Sequence, residues 1–206
     1  MTRAGGGVDS ALAADAARPS RREQILRAAA QLFAERGSRA VGVDDVGAAV
    51  GVTGPAIYRH FASKDAMLAE MLLRISERLL AGGAERITAA GDSPAAQLRA
   101  LVDFHVDFAV DNPALITVHD RDLATLSERD ARRVRQLQRR YVEEWVAVIA
   151  RLHPDAPTTV CRARAHAVFG LLNSTPHSAG RLARPAMAAL LAGMAEAAAT
   201  AGDSGQ

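Results

Sequence analysis

The chain has 206 residues, 49% hydrophobic and only 4% aromatic, which is enough for one or two domains with a sizeable core. A single cysteine, Cys161, excludes an internal disulfide framework. No apolar run is long enough to span a bilayer or to form the core of a secretory leader, so a cytoplasmic location is expected, and the formal net charge of +2 is too small to mark a nucleic-acid-binding protein by itself.

Residues 1–19 contain Gly5-Gly6-Gly7 and no apolar periodicity, and predict a mobile arm. Arg18, Arg21 and Arg22 close that arm, either as a solvated start or as contacts to DNA phosphates or a minor groove. Ser20-Arg21-Arg22-Glu23 has the spacing of a capping box. Ile25, Leu26, Ala29, Leu32 and Phe33 follow at helical spacing, and Gly37 marks the helix end. Two short helices are predicted next, at about 43–50 and 54–60, with Val46, Val50, Val52 and Ile57 spaced to close a small core between them. Gly47 stands where a larger side chain would hold the two helices apart, and Gly51 where the turn needs a positive φ. Thr53 is expected to cap the second helix with its hydroxyl, and Pro55 is tolerated in a first turn that has spare N–H groups. Between residues 20 and 64, seven cations face four anions, so the positive charge is local to this segment.

Ile25-Leu26, Ala29, Leu32-Phe33, Gly37, Val46, Gly51-Val52-Thr53, Ile57-Tyr58, His60-Phe61, Lys64 and Leu68 make up a pattern that covers about a quarter of the chain. Through these residues, 21–72 resembles the DNA-binding segment of TetR-type bacterial transcriptional regulators. The resemblance implies an all-α homodimeric repressor, with a three-helix helix-turn-helix head and a larger helical domain that senses a small molecule and forms the dimer. It implies no enzyme activity, no cofactor and no metal. In the resemblance, positions matching Gly54, Pro55, Ala56 and Arg59 face the bases, and those matching Thr53, Tyr58, His60 and Lys64 hold phosphates. Three of the four base-facing residues are small or apolar and can only touch thymine methyls or let the backbone approach, which leaves Arg59 as the expected direct reader, of a guanine. Tyr58 and Phe61 also read as aromatics of the local core. Val41 and Gly42 depart from the threonine and serine of many members, removing a phosphate-binding hydroxyl. Asp44 and Asp45 favour a helix N-terminus but would repel DNA if they faced it. One short recognition helix reads few bases, so double-stranded DNA with a palindromic operator and a symmetric pair of chains are expected.

Ser63 is expected to cap a fourth helix bearing Met67, Leu68, Met71, Leu72, Ile75 and Leu79, weakening at Gly82-Gly83. Starting beside the DNA and ending in the second domain, this helix is the expected mechanical link. Ser93-Pro94 opens a fifth helix with Leu98, Leu101, Val102, Phe104 and Phe108, ended by Asn112-Pro113. A short helix or loop covers 114–126. Ser127 and Asp130 begin a long helix reaching about Leu152, and two more are predicted at 158–173 and 184–200, separated by Pro176 and Gly180. The domain division is an arm at 1–19, a helix-turn-helix head at 20–66, a ligand-binding and dimerisation domain at 67–200 and a disordered tail at 201–206.

Phe104, His105, Phe108, His119, Tyr141, Trp145, Phe169 and Asn173 are candidates to line a ligand cavity between helices, against the plainer reading of them as core. Arg129, Arg132, Arg133, Arg135, Arg139 and Arg140 project on one side of the long helix, opposite Val134, Leu137, Tyr141, Trp145, Val148 and Leu152. That is a solvated face, or a clamp for an anionic group such as the phosphates of an acyl-CoA. Asp103 and Asp107 share a helical face from which His105 points away, so the three do not make a metal site. Cys161 and His166 are too far apart around a helix to act as nucleophile and base, and a buried thiol is expected. Val168, Phe169, Leu171, Leu172, Met187, Leu190, Leu191 and Met194, with alanines between them, suit either an intrachain core or, as the resemblance implies, a four-helix interface with a second copy. Two rivals stay open: a ligand-independent activator or architectural factor, and an enzyme using the helical pocket. The second lacks a spaced nucleophile, a metal set or a phosphate loop.

Overall fold

The computed structural model describes residues 20–178 and 182–202, so the expected arm at 1–19 and most of the expected tail lie outside the described residues, as does Gly180. All the secondary structure among the described residues is helical. Helix α1 (Arg21–Arg36) starts on the predicted capping box. The Ser20 hydroxyl accepts from the Glu23 N–H at 3.2 Å, and the Glu23 carboxylate accepts from the Ser20 N–H at 2.8 Å. Helices α2 (Val43–Ala49) and α3 (Gly54–Tyr58) follow, and then α4 (Lys64–Ala89), capped by the Ser63 hydroxyl, which accepts from the Ala66 N–H at 3.0 Å. Ile25, Phe33, Val46, Ile57, Met67 and Leu72 are the fully enclosed centre of this head, and Val50 and Val52 pack at its edge.

The turn between α2 and α3 needs both of its glycines, for different reasons. Gly51 has φ +70°, and a Cβ on Gly47 would stand 2.7 Å from the Val52 carbonyl oxygen. Thr53 departs from expectation. It takes the N-cap backbone conformation, but its hydroxyl makes no capping hydrogen bond: of the two N–H groups a cap would serve, Pro55 lacks one and that of Ala56 already donates to the Thr53 carbonyl at 2.9 Å.

The body consists of α5 (Pro94–Asp111), α6 (Pro113–Asp122), a 3₁₀ turn (Leu123–Thr125), α7 (Glu128–Leu152), α8 (Thr158–Leu172), the single turn α9 (Thr175–Ser178) and α10 (Arg184–Thr200). Helix α4 packs on α5 and α7, α7 on α8, and α10 on α5 and α8. The predicted weakening of α4 at Gly82-Gly83 does not occur. The helix runs unbroken to Ala89, and the two glycines let neighbouring rings approach its backbone: Phe104 lies over Gly82, and a Cβ on Gly83 would stand 2.6 Å from Cε2 of Tyr141. Glycine's cost of about 1 kcal/mol in a helix interior is offset by aromatic contact.

Head and body share more than α4. Val118 of α6 and Val134 of α7 are fully buried in the head core. The end of α6 also grips the end of α1. The buried Ser38 hydroxyl donates to Asp122 Oδ1 at 2.8 Å, and Arg121 donates to the Phe33 carbonyl and, at 3.3 Å, to the Ala34 carbonyl. The Phe33 carbonyl also accepts from the capping Gly37 N–H at 2.9 Å, and the Ala34 carbonyl is among those that a helix C-terminus leaves without an intrahelical partner.

His105 is an enclosed titratable group of the body. Its Nε2–H donates to Asn173 Oδ1 at 3.0 Å, and the Tyr141 hydroxyl donates to Nδ1 at 3.2 Å. Burial lowers its pKa from 6.5 to about 4, opposed by the Asn173 hydrogen bond. The unfolded chain therefore binds the extra proton first as pH falls. The stability that His105 contributes by staying neutral is complete above pH 6.5 and is lost as pH falls from 6.5 towards 4. The loss is about 3 kcal/mol. His105→Gln should flatten that limb of a plot of urea midpoint against pH, and a variant with the wild-type slope between pH 6.5 and 4 would assign the acid sensitivity elsewhere.

Candidate functional site

Helical period decides what α3 shows to solvent. Gly54, Ile57 and Phe61 fall on one side and are buried, which turns Pro55, Tyr58 and Arg59 outward. Tyr58 is 57% exposed, the most open large apolar residue described. Thr53 is exposed at the start of the helix, while Ala56 and His60 are on its flanks, Ala56 half-buried and His60 partly covered. Gly54 lies beneath the Asp44 carboxylate, which occupies the space that a side chain at position 54 would need. Asp45 accepts from the Gly42 N–H at 2.7 Å and lies 3.9 Å from Arg36, so this acid is occupied within the head. Lys64 is half-buried and its ammonium donates to the Arg39 carbonyl at 3.3 Å, leaving two of its three donors.

Two arginines of the expected DNA-contacting arm have internal work. Arg22 makes a two-armed pair with Glu70, donates to the His60 carbonyl and lies 4.2 Å over the Phe61 ring. This pair ties α1 to α4 just behind α3, and it holds the Glu70 carboxyl below its ordinary range. Arg21 donates to the Val50 carbonyl at 3.2 Å, at the end of α2. The guanidinium left facing outward on α3 is that of Arg59.

A cavity of about 590 Å³ lies in the body, walled by α4, α5, α6, α7 and α8. His105, Phe108, His119, Tyr141, Phe169 and Asn173 line it, together with Ile75, Leu79, Leu115, Ile116 and Gln138, which sequence reasoning did not select. Phe104 is on the other side of α5, against Gly82 and 5.8 Å from the Arg86 guanidinium. Trp145 stands behind the wall, fully buried, with its ring 5.0 Å from Phe169 and 6.1 Å from His105. The missed aliphatics carried only ordinary helical periodicity. Gln138 lies one turn before Tyr141 and Val142, a signal that spacing alone held, and it donates to His119 across the cavity.

All six arginines of the α7 run lie on its solvent side. Arg132 pairs with Glu128 and Arg133 with Glu77, each at 3.0 Å, whereas Arg135 and Arg139 border the cavity. Arg162 joins them there, bonded to Glu143 and holding that carboxyl below its ordinary range. The cavity thus combines mainly apolar walls, a neutral polar cluster at its buried end and guanidinium groups at its open rim. Asp107 turns outward to Arg184 at 3.0 Å while His105 turns inward, so Asp103, His105 and Asp107 do not converge. Cys161 is enclosed in the core, and His166 is exposed at the cavity.

The last long helices have two apolar faces. Val168, Leu172, Met187 and Leu191 are buried within the chain, whereas Leu190 and Met194 are 49% and 48% exposed. Ala167 and Gly170 of α8 and Ala186 and Gly193 of α10 are also exposed.

Comparison with known proteins bears on both ends of the chain. Residues 25–71 match the family model of bacterial regulatory proteins of the tetR family, and 91–198 match that of the tetracyclin repressor-like C-terminal domain. The chain is 35% identical over 91 residues to the HTH-type transcriptional activator FasR of Mycolicibacterium smegmatis, covering 44% of this chain and 41% of that one. It is 43% identical over 82 residues to the HTH-type transcriptional repressor KstR2 of Rhodococcus jostii, covering 40% of each. These matches therefore span about two fifths of the relatives' lengths. Among solved structures, the ketosteroid transcriptional regulator KstR2 of Mycobacterium tuberculosis superposes with a TM-score of 0.74 at 22% identity, over 87% of this chain and 94% of that one. The regulator FadR of Bacillus subtilis, in complex with stearoyl-CoA, gives 0.65 at 14% identity over 85% and 97%. At such identities the likeness establishes the fold. With the C-terminal model alone matching more than half of its residues, the chain belongs to the TetR family of bacterial transcriptional regulators, not to a family of enzymes.

Proposed function

We propose that this protein is a repressor that binds a palindromic operator as a homodimer and releases it when a small apolar anion enters the cavity. The observation that carries the reading is the double role of α6. Val118 sits in the head core and Asp122 holds Ser38, while Leu115, Ile116 and His119 of the same helix line the cavity. A ligand that displaces α6 must therefore move α1, and with it the recognition helix. It shifts the balance only by binding the non-operator geometry more tightly. On this reading, residues 20–66 are the DNA-binding unit and 67–200 the sensing and dimerising one.

On DNA, Arg59 reads a base and Pro55 and Ala56 make apolar contacts, whereas Gly54, expected among the base-facing positions, is buried under Asp44 and serves to seat α3 against α2. Thr53, Tyr58, His60 and Lys64 hold phosphates. The uncapped Thr53 hydroxyl and the exposed Tyr58 support this assignment. For the effector, apolar walls with Arg135 and Arg139 at the rim suit a lipid or acyl-CoA-type catabolite. The stearoyl-CoA in complex with the FadR of Bacillus subtilis is of that class. Leu190, Met194 and the exposed small residues of α8 and α10 would pack against a second copy, whose recognition helix completes the palindrome. A DNA-binding regulator of this kind acts in the cytoplasm, and no described helix is long and apolar enough to cross a membrane. The same head would serve an activator, the designation that FasR carries, and a promoter-fusion reporter in a deletion strain separates the two.

Arg59→Ala should cost about 1–3 kcal/mol of discrimination at one base pair per half-site. Selection from random duplexes checks this, and an unchanged preference at every position would remove Arg59 from base reading. Lys64→Ala should instead weaken all sequences alike and flatten the dependence of affinity on salt, with a slope change of about one. Leu190→Glu combined with Met194→Glu should shift the sedimentation coefficient from dimer to monomer and cut operator affinity. A double variant that still sediments as wild type would place the interface elsewhere. An operator complex that neither apolar carboxylates nor fractions of a cell extract dissociate would eliminate the switch and leave DNA binding untouched.

A further inference from the structure

The cavity is interrupted at its buried end by a polar cluster that apolar packing alone does not explain. His105 comes from α5, Tyr141 from α7 and Asn173 from the C-cap of α8, and His105 and Tyr141 are 2% and 4% exposed. Around them are the rings of Phe108, Trp145 and Phe169. Burying the His105 and Tyr141 side chains where apolar ones of the same shape would pack costs desolvation that the hydrogen bonds within the cluster offset only in part, and Asn173 at their edge is half-buried. Their arrangement also leaves specific capacity unused. The Asn173 oxygen accepts from His105 Nε2 at 3.0 Å, and the Tyr141 hydrogen is donated to Nδ1 at 3.2 Å, so the imidazole is saturated and neutral. What Asn173, which lines the cavity, still has for a guest is its amide donor. An aliphatic chain end placed there would leave that amide N–H₂ dry.

We infer that the ligand of this cavity is an apolar anion whose end remote from the charge carries an oxygen, a ketone or a hydroxyl, that accepts a hydrogen bond from the Asn173 amide. This rests on the reading of the cavity as the effector site. The rim of Arg135 and Arg139 takes the anionic end, and the floor, with His105 and Tyr141 buried and Asn173 half-buried beside them, takes the oxygenated end. The floor thereby separates oxidised lipid fragments from plain fatty acyl chains. A site built to satisfy a ligand oxygen penalises the analogue that lacks it, because the protein's own polar group is then left unpaired.

The chain supplies its own reporter. Trp145 is its single tryptophan, with its ring 5.0 Å from Phe169 and 6.1 Å from His105, both of which line the cavity. The full-length protein is titrated with dodecanoate and with 11-oxododecanoate, which differ only in a ketone near the far end, and Trp145 emission is followed. The expected result is about tenfold tighter binding of the keto acid, the size of one hydrogen bond in a desolvated site. Asn173→Asp keeps an oxygen for His105 and removes the donor, and in that variant the two probes should bind with equal affinity. A wild-type protein that binds both probes equally would overturn the oxygen-seeking floor while leaving the cavity as an effector site. A keto preference that survives in a folded Asn173→Asp variant would overturn the role of Asn173. Failure of both probes to perturb Trp145 emission or to displace each other would overturn this inference and the effector reading together.

Discussion

Three helices, α4, α6 and α7, each bury one part in the head and another in the body, and this sharing constrains everything else in the molecule. Met67 and Leu72 of α4 and Val118 of α6 close the head core, while Ile75 and Leu79 of α4 and Ile116 of α6 wall the cavity. A close-packed interior does not deform continuously, so a change of shape in the cavity has to be taken up by shifts of whole helices. The Ser38–Asp122 hydrogen bond and the Arg121 contacts to the end of α1 add a directional joint to the apolar one. The sequence marks α4 alone as continuous between head and body, whereas in the fold α6 and α7 join it, through Val118 and Val134.

The body is built to bring α4 close to its neighbours. Gly82 and Gly83 remove two side chains from α4 and admit the rings of Phe104 and Tyr141 against its backbone. The approach of Tyr141 brings its hydroxyl to His105, and His105 in turn brings Asn173 into the cluster. Burial keeps the imidazole neutral, with a pKa of about 4, and pushes the Tyr141 phenol well above its usual range, so the cluster stays uncharged at any physiological pH. Such a floor offers fixed dipoles instead of charge, and charge is confined to the rim.

The DNA-facing head shows how a short helix is aimed. Helix α3 has only five residues, too few to be stable alone, and its direction comes from Ile57 and Phe61 held in the core and from the Arg22–Glu70 pair behind them. Arg22 stacks on Phe61 and bonds the His60 carbonyl, so the pair buttresses the segment just beyond α3. A residue that sequence reasoning weighed as a phosphate contact is therefore part of the support on which the outward residues depend.

Most of the helix boundaries were legible along the chain because their causes are local. A capping box at Ser20 and Glu23, serines at 63, 93 and 127, prolines at 94 and 113, and a positive φ at Gly51 all act within four residues of where they stand. Six of the eight aromatic and polar residues expected at a cavity line one, since large side chains on inward faces are what a helical body has to arrange around a void. Periodicity gives a residue its face but not its neighbour, and the departures follow from that. Phe104 and Trp145 share helices with cavity residues yet meet Gly82 and the core. Arg21 and Arg22 find partners 29 and 48 residues away, and Asp122 meets Ser38 across 84. The amino-acid order alone determined an all-helical chain of this family with a short helix at about 54–60, which the fold ends at Tyr58. Tertiary structure decided what each helix lies against, because burial and hydrogen bonding between segments distant in sequence exist only once the chain has closed on itself.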